Sequence, residues 1–151
     1  QQLGKGTFAT VYAKPGIKYV LKLFDSMDTG YLAFIKLAQT HKNIHFPKFY
    51  GKPIKIYNSY YAIRMEHLNN NVDRETVFSI MAYTNPKTTP LDNSNWDDTR
   101  PINDPELKAA CDLVCDLINS EEHFINDIGS SNILQRDDGT IVISDPIYTS
   151  S

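Results

Sequence analysis

The sequence has little cysteine and no long apolar run, and each shortage excludes a class of protein. Its two cysteines, Cys111 and Cys115, lie one helical turn apart, which suits reduced thiols better than a disulfide framework. A metal site built on them would need more ligands, and His123 is the only candidate nearby. We find no signal peptide and no apolar run approaching about eighteen residues, so we expect a soluble, cytoplasmic protein without a membrane partner.

The chain also lacks an excess of positive charge. It carries 15 basic and 18 acidic side chains, for a formal net charge of −3. A dedicated nucleic-acid-binding domain would present a basic face, so we expect no nucleic-acid partner. With 151 residues, of which 41% are hydrophobic, the chain can bury the core of one compact domain.

The most informative stretch lies near the end of the chain. Asp127 precedes Asn132 by five positions, and Asp145 follows after a short apolar hairpin that contains Gly139. In kinase-type phosphotransferases, an aspartate in the first position accepts the proton of the attacking hydroxyl, while the asparagine and second aspartate bind magnesium. The alternative is an ordinary polar loop and hairpin, because Asp and Asn are common turn residues.

A glycine-rich turn between two strands lies at the opposite end of the sequence. Gly4, Gly6 and Val11 match the loop G-x-G-x-x-G-x-V, whose glycines let the backbone approach phosphate groups. Ala9 replaces the third glycine, and hairpin turns also favour glycine. Lys22 then lies inside an apolar strand, either as edge-strand protection or as a phosphate ligand. The preceding glycine loop favours the ligand.

These motifs, in this order, resemble the protein-kinase-like phosphotransferases. More narrowly, the chain resembles the small early serine/threonine kinases of short-tailed bacteriophages. The narrower likeness depends on four segments: residues 3–12, residues 28–31, residues 46–50, and Asp145-Pro146 where most kinases have Asp-Phe-Gly. The resemblance implies a minimal two-lobed α+β fold. Residues 1–68 would form an N-lobe with an antiparallel sheet and one helix, and residues 69–151 a truncated helical C-lobe without an activation segment.

The same resemblance implies a role for each motif residue. Asp127 and Lys22 would be catalytic, and Asn132 and Asp145 would bind Mg²⁺. The remaining positions would contact ATP, either through the glycine loop or through backbone groups of a hinge that bond the adenine edge. These positions are Gly4, Lys5, Gly6, Thr7, Val11 and Lys22, with Glu66 and Leu68 in the hinge and Met65 at the back of the pocket.

Several positions depart from the kinase pattern. No glutamate occurs between residues 23 and 65 to pair with Lys22. Asp28 is the nearest acid that could serve, although it could also cap the following helix, as could Ser26. Asn126 stands where kinases have arginine, which removes the usual tether for a phosphorylated loop. Gly129 replaces a histidine common among the phage relatives and is expected to loosen the catalytic loop.

Apolar periodicity and turn residues predict the other elements. We expect strands at 10–13, 18–24, 49–56 and 60–65, and helices at 28–41, at 73–81 and from Asp104-Pro105 onward. The first helix would bury Tyr31, Phe34, Ile35 and Ala38. Residues 84–103 have loop composition, with Trp96 as an anchor.

Three functions therefore remain open. The first is a phage-type kinase that uses ATP and Mg²⁺ to phosphorylate host proteins in the host cytoplasm, or itself at residues such as Ser130 or Thr149. The second is a weakly active or inactive module of the same fold that binds and inhibits a host protein. The third is a small-molecule phosphotransferase of the antibiotic-kinase type, which would require a long helical C-lobe for its acceptor.

Overall fold

A computed structural model of the chain describes residues 2–5, 9–57, 59–85 and 102–150. These residues form an α+β structure in which all strand pairings are antiparallel. The strands are β1 Gln2–Lys5, β2 Ala9–Tyr12, β3 Tyr19–Asp25, β4 Phe49–Ile56, β5 Tyr60–Glu66, β6 Phe124–Asn126, β7 Ile133–Gln135, β8 Ile141–Ile143 and β9 Ile147–Thr149. The helices are α1 Thr29–Thr40, α2 Arg74–Thr84 and α3 Pro105–Asn119. No helix within these ranges has the length and apolar character needed to cross a membrane.

The main sheet has five strands in the order β1-β2-β3-β5-β4. β3 is its central strand, and the alternation of side chains buries Val20, Lys22 and Phe24 on one face. Lys22 pairs with Val11 on one side and with Ile63 on the other. Because neighbouring strands flank β3 on both sides, Lys22 is not an edge-strand lysine, and that alternative from the sequence is wrong.

Helix α1 covers the buried face of the main sheet. Asp28 caps it, since its carboxylate accepts a hydrogen bond from the Tyr31 N–H at 3.1 Å. Of the predicted apolar face, Tyr31, Phe34 and Ile35 are buried, whereas Ala38 is half-buried against the core. The Tyr31 and Phe24 rings pack edge to face with their centroids 4.9 Å apart, and this aromatic contact packs the helix against β3.

Two small sheets and the other helices complete the described structure. β7 pairs with β8 in the predicted hairpin, whereas the pairing of β6 with β9 was not predicted. α3 begins as expected, because Asp104 accepts hydrogen bonds from the N–H groups of Glu106 and Leu107. Most of the predicted loop at 84–103, including Trp96, lies outside the described residues.

Helix α1 also contacts the strand that follows Asp145. The Gly30 N–H donates a hydrogen bond to Thr149 Oγ1 at 2.8 Å, and this hydroxyl donates in turn to Asp28 Oδ1 at 3.1 Å. A Cβ atom on Gly30 would lie 2.7 Å from Ile147 Cγ2, so the backbone of α1 approaches β9 as only glycine allows. One hydrophobic cluster accordingly includes residues from both sides of position 68.

β4 lies at one end of the strand order of the main sheet. Its pairing with β5 shifts register between Tyr50 and Ile54, and Gly51 has a φ of 77° there. The Gln39 side chain of α1 donates a hydrogen bond to the Gly51 carbonyl at 2.7 Å. The strand is therefore bent away from a flat edge at its middle.

Candidate functional site

Lys22 and Asp145 form an ion pair at the junction of the main sheet and the end of β8. Lys22 Nζ lies 2.9 Å from Asp145 Oδ2, and the lysine is only 5% exposed. Burial alone would lower the pKa of Lys22, but its interactions with Tyr31 and Asp145 outweigh burial and raise the pKa above its ordinary value. The acid that pairs with this lysine is thus Asp145, while Asp28 serves as the helix cap.

The second carboxylate oxygen of Asp145 has no partner. Asp145 Oδ1 is buried and accepts no hydrogen bond within the described part of the chain. A buried polar atom without a hydrogen bond destabilises the folded protein, and such atoms usually bind a further group that satisfies them. A carboxylate oxygen in this state fits a hard cation, because Mg²⁺ binds one or two carboxylates together with phosphate oxygens.

Asp127 and Asn132 lie beside Asp145 because the backbone brings them there. The Asp127 N–H donates a hydrogen bond to the Pro146 carbonyl at 2.8 Å, where β6 and β9 pair. Asn132 Nδ2 donates to Asp127 Oδ2 at 3.1 Å and to the Asp127 carbonyl at 2.7 Å. These bonds occupy the amide nitrogen, so the amide oxygen of Asn132 is the atom left for a metal ion.

The electrostatic surroundings disfavour a negative charge on Asp127. Burial raises the pKa of its carboxyl group, and the nearby charge of Asp145 raises it further, against the opposing effects of Asn132 and Lys22. A carboxylate with a raised pKa is a better proton acceptor than an ordinary surface aspartate. The group can therefore take a proton from a hydroxyl that comes within hydrogen-bond distance of it.

Hydrogen bonds hold the loop that carries Asp127. The Gly129 carbonyl accepts from the N–H groups of Asn132 and Ile133, at 2.9 and 3.1 Å. Asn126, in the position of the kinase arginine, accepts from the Ile128 N–H at 2.8 Å and donates to the Thr84 carbonyl at 3.3 Å. Asn126 thus fixes this loop to α2, a structural role that its position in the sequence did not reveal.

A cavity of about 250 Å³ opens next to Lys22. It is lined by residues from the main sheet, from residues 66–68, from the loop after Asp127 and from the β7–β8 hairpin: Val11, Val20, Lys22, Met65, Glu66, His67, Leu68, Ser131, Leu134 and Ser144. Four of the predicted nucleotide contacts, namely Val11, Lys22, Glu66 and Leu68, therefore share one cavity, with Met65 beside them. Its walls are mainly apolar with a few polar groups, as in small-molecule sites generally.

The other predicted nucleotide contacts belong to the first strand and the turn after it. Gly4 pairs with Val11 and Lys5 with Thr10, so the β1–β2 hairpin exists as predicted. Gly6 and Thr7 lie outside the described residues, and their predicted contacts remain predictions.

The side chain of Glu66 has a role that the sequence did not indicate. Arg136 binds its carboxylate through Nε at 2.7 Å and through NH2 at 3.0 Å, and the Lys48 N–H donates to it at 2.6 Å. Arg136 also donates to the Ile44 carbonyl at 2.7 Å. This ion pair joins the end of β5 to the turn after β7. A buried glutamate requires a cation, but nothing local in the sequence identifies Arg136 as that cation.

Tyr31 is a further residue whose place at this site was not predicted. Lys22 Nζ lies over its ring, 3.7 Å from the ring centroid. Its hydroxyl contacts Met65 Sδ at 3.9 Å, and burial raises the pKa of Tyr31 to about 12. The ring is therefore neutral at physiological pH and presents a π face to the ammonium group.

Comparisons with known proteins assign no family. No protein-family model matches the chain, and no curated protein matches its sequence. Within the described ranges, no cluster of three or more His, Cys, Asp or Glu side chains is arranged to hold a metal ion. The predicted magnesium ligands are instead one carboxylate and one amide, a set that needs phosphate oxygens to complete it.

Proposed function

We propose that the chain is an ATP-dependent phosphotransferase of the protein-kinase type, with a minimal two-lobed fold. The observation that carries the proposal is the state of Asp145: one oxygen binds the buried Lys22, and the other is buried without a partner among the described residues. A phosphoryl-transfer site needs a lysine for the phosphates and a carboxylate oxygen for magnesium at one place. The four predicted residues Lys22, Asp127, Asn132 and Asp145 supply both, beside a cavity that can accept an aromatic base.

Each residue has a distinct task in this mechanism. Glu66 and Leu68 would bond the base through their backbone groups, and Lys22 would orient the phosphates. Asn132 Oδ1 and Asp145 Oδ1 would hold magnesium, which neutralises charge on the phosphates when it is bound. Asp127 would orient the acceptor hydroxyl and take its proton. The resemblance to phage kinases supports serine or threonine side chains of host proteins, or of this chain itself, as acceptors.

The substitution Asp127→Asn tests this function. In the proposed arrangement Asp127 touches neither metal nor nucleotide, so its loss should leave nucleotide binding unchanged. Phosphate transfer from labelled ATP to proteins of a host lysate should fall by roughly 10²–10⁴. The matched control is Asp116→Asn, which removes an exposed carboxylate from α3 and should transfer phosphate like the wild type.

Stability measurements separate loss of catalysis from loss of folding. The pKa of the Asp127 carboxyl group is raised in the folded state. At a pH below the pKa of the unfolded chain, the protonated group makes its full contribution to the free energy of unfolding. This contribution is lost as the pH rises through the folded-state pKa. At pH 7 the ionised carboxylate therefore opposes folding. The Asp127→Asn protein should melt at or above the wild-type temperature at pH 7, and this advantage should shrink as the pH falls.

The inhibitory-module alternative makes an opposite prediction in cells. A module that acts by surface contact would keep inhibiting host growth after Asp127→Asn, whereas a kinase would lose the effect with its activity. Full growth inhibition by this variant would show that catalysis is not the source of function. A new labelled small molecule other than ATP or free phosphate, without labelled protein, would instead support a small-molecule phosphotransferase.

A further inference from the structure

The ammonium group of Lys22 is buried between two groups of different kinds. Asp145 Oδ2 lies 2.9 Å away, and the centre of the Tyr31 ring lies 3.7 Å away. No other described acid pairs with it: the carboxylate of Asp28 accepts from the Tyr31 N–H and from Thr149 Oγ1 instead. The chain has no glutamate between residues 23 and 65 that α1 could present to the lysine.

Magnesium binding would change this balance. The carboxylate of Asp145 would then share its charge with the metal ion, so its attraction for the ammonium group of Lys22 would weaken. A long, flexible lysine needs a second contact to stay aimed at the phosphates. The contact whose strength does not depend on the metal ion is the one with the face of Tyr31.

The geometry points to Tyr31 as the positioning residue for Lys22. Its ring holds the lysine side chain in place, as a carboxylate on α1 would otherwise do. This inference rests on the proposed phosphotransferase function. A cation over an aromatic face is held by the ring quadrupole, and the attraction is strongest where water is excluded, as it is here. A neutral ring leaves the full charge of the lysine available to phosphate, and it cannot be recruited as a metal ligand.

The ring is itself rigidly held. Its neighbours include Phe24 at 4.9 Å and Phe49 at 6.1 Å between centroids, both in edge-to-face arrangements. Its backbone belongs to the first turn of α1, which Asp28 caps. The direction of the Tyr31 face is therefore set by the packing of α1 on the sheet, before any ligand binds.

A set of matched variants tests the inference. Tyr31→Phe keeps the ring and removes only the hydroxyl, whereas Tyr31→Leu removes the ring. Phe34→Leu is the control, since it removes an equally buried ring from the same helix that does not contact Lys22. A series of fluorinated phenylalanines at position 31 keeps the shape of the ring and weakens its quadrupole, so the test does not depend on Tyr31→Leu folding.

Two readouts are measured for each protein. In NMR spectra of ¹³C-lysine-labelled protein without ligand, the Lys22 Cε protons, assigned by comparison with Lys22→Arg, should resonate upfield of the other lysines because of the ring current. This shift should persist in Tyr31→Phe and Phe34→Leu and vanish in Tyr31→Leu. In phosphate transfer, kcat should fall roughly thirtyfold in Tyr31→Leu and progressively with fluorination, with a much smaller change in KM for Mg-ATP.

The possible outcomes separate this inference from the function on which it rests. Equal kcat values in Tyr31→Leu and Phe34→Leu, or no response to fluorination, would overturn the role of Tyr31 while leaving the phosphotransferase intact. An unshifted Lys22 signal in the wild type would overturn the contact itself. A wild-type protein that neither binds Mg-ATP nor transfers phosphate would overturn the proposed function, and this inference with it.

Discussion

Each charged side chain described below is buried at this site beside a partner. Lys22 meets Asp145, and Glu66 meets Arg136. Asp28 meets two hydrogen-bond donors at the start of α1. Burying such a group without a partner destabilises the folded protein, so removing one member of a pair leaves the other member's desolvation uncompensated.

The Lys22–Asp145 pair allows a prediction on stability and metal binding together. Asp145→Asn leaves the ammonium of Lys22 buried without a counter-charge. We expect a loss of about 2–3 kcal/mol in the free energy of unfolding, somewhat below the ~3–5 kcal/mol typical of fully buried pairs, because the Asp145 side chain is 25% exposed. Urea unfolding measures this loss, and nucleotide binding titrated with Mg²⁺ should lose its metal dependence.

Lys22→Met is the companion variant. It should reduce the free energy of unfolding by less than Asp145→Asn does, because the carboxylate of Asp145 that it leaves unpaired is partly exposed to water. Nucleotide binding by this variant should still depend on Mg²⁺, while its turnover should fall. If Asp145→Asn keeps a normal Mg²⁺ dependence, Asp145 is not the metal ligand.

The residues that sequence reasoning missed share one property. Arg136 lies 70 positions from Glu66, and the contact between Tyr31 and Lys22 depends on how far α1 is rotated on the sheet. Neither distance nor rotation is encoded in a local pattern. The motif residues Lys22, Asp127 and Asp145 stand out in the sequence because of their spacing, and their catalytic roles stay predictions, whereas their supporting partners are prescribed only by packing.

At the scale of elements, periodicity predicted most of the longer segments, although α2 ends at Thr84, beyond its predicted end at Met81. β3, β4, β5 and α1 lie within one residue of their predicted bounds. β6 and β9 have three residues each, too few for an alternating pattern to be recognised. Unlike the equally short β7 and β8, they are not joined to each other by a turn, and they were missed. These two strands bring Asp127 next to Pro146, a proximity that no local pattern in the sequence indicated.

Two glycines allow a matched prediction about the elements that carry them. Gly30→Ala adds a Cβ atom 2.7 Å from Ile147, which is 1% exposed and has no room to move. The cost of overpacking, about 1–3 kcal/mol, should exceed the gain of up to ~1 kcal/mol in helix propensity. Gly129→Ala meets no atom within 4 Å and needs no positive φ, so it should stabilise by about 0.4–1 kcal/mol.

Thermal or urea unfolding of the two alanine variants decides the point. Opposite signs are expected for the two substitutions. A stabilised Gly30→Ala protein would mean that α1 and β9 are not in close contact, and a destabilised Gly129→Ala protein would mean that the catalytic loop requires glycine. Equal rates of phosphate transfer in Gly129→Ala and the wild type would show that glycine does not loosen this loop enough to affect turnover.

At the scale of the whole molecule, ligand binding should be visible as a gain in stability. The cavity is formed by the main sheet together with the segments around Asp127 and β7, so a ligand in it would hold these parts together. A tenfold excess of Mg-ATP over its dissociation constant should add roughly 1.4 kcal/mol. For a chain of this length, that corresponds to a rise of about 3–5 °C in melting temperature.

The controls for this measurement are ATP with a chelator and Mg-ATP with the Asp145→Asn protein. Each should show a smaller rise than Mg-ATP with the wild type. A wild-type melting temperature that stays constant in millimolar Mg-ATP would refute nucleotide binding and favour a protein that acts by contact alone.

The bent outer strand of the main sheet affects how copies of this protein meet one another. A flat outer strand is a template on which a second copy can add its own strand, and repeated addition builds fibres. In β4, Gly51 and the register shift break the flat surface, Pro53 cannot donate a hydrogen bond, and Lys52 and Lys55 repel an identical neighbour. The β4 edge of the sheet is therefore a poor template for strand addition by a second copy.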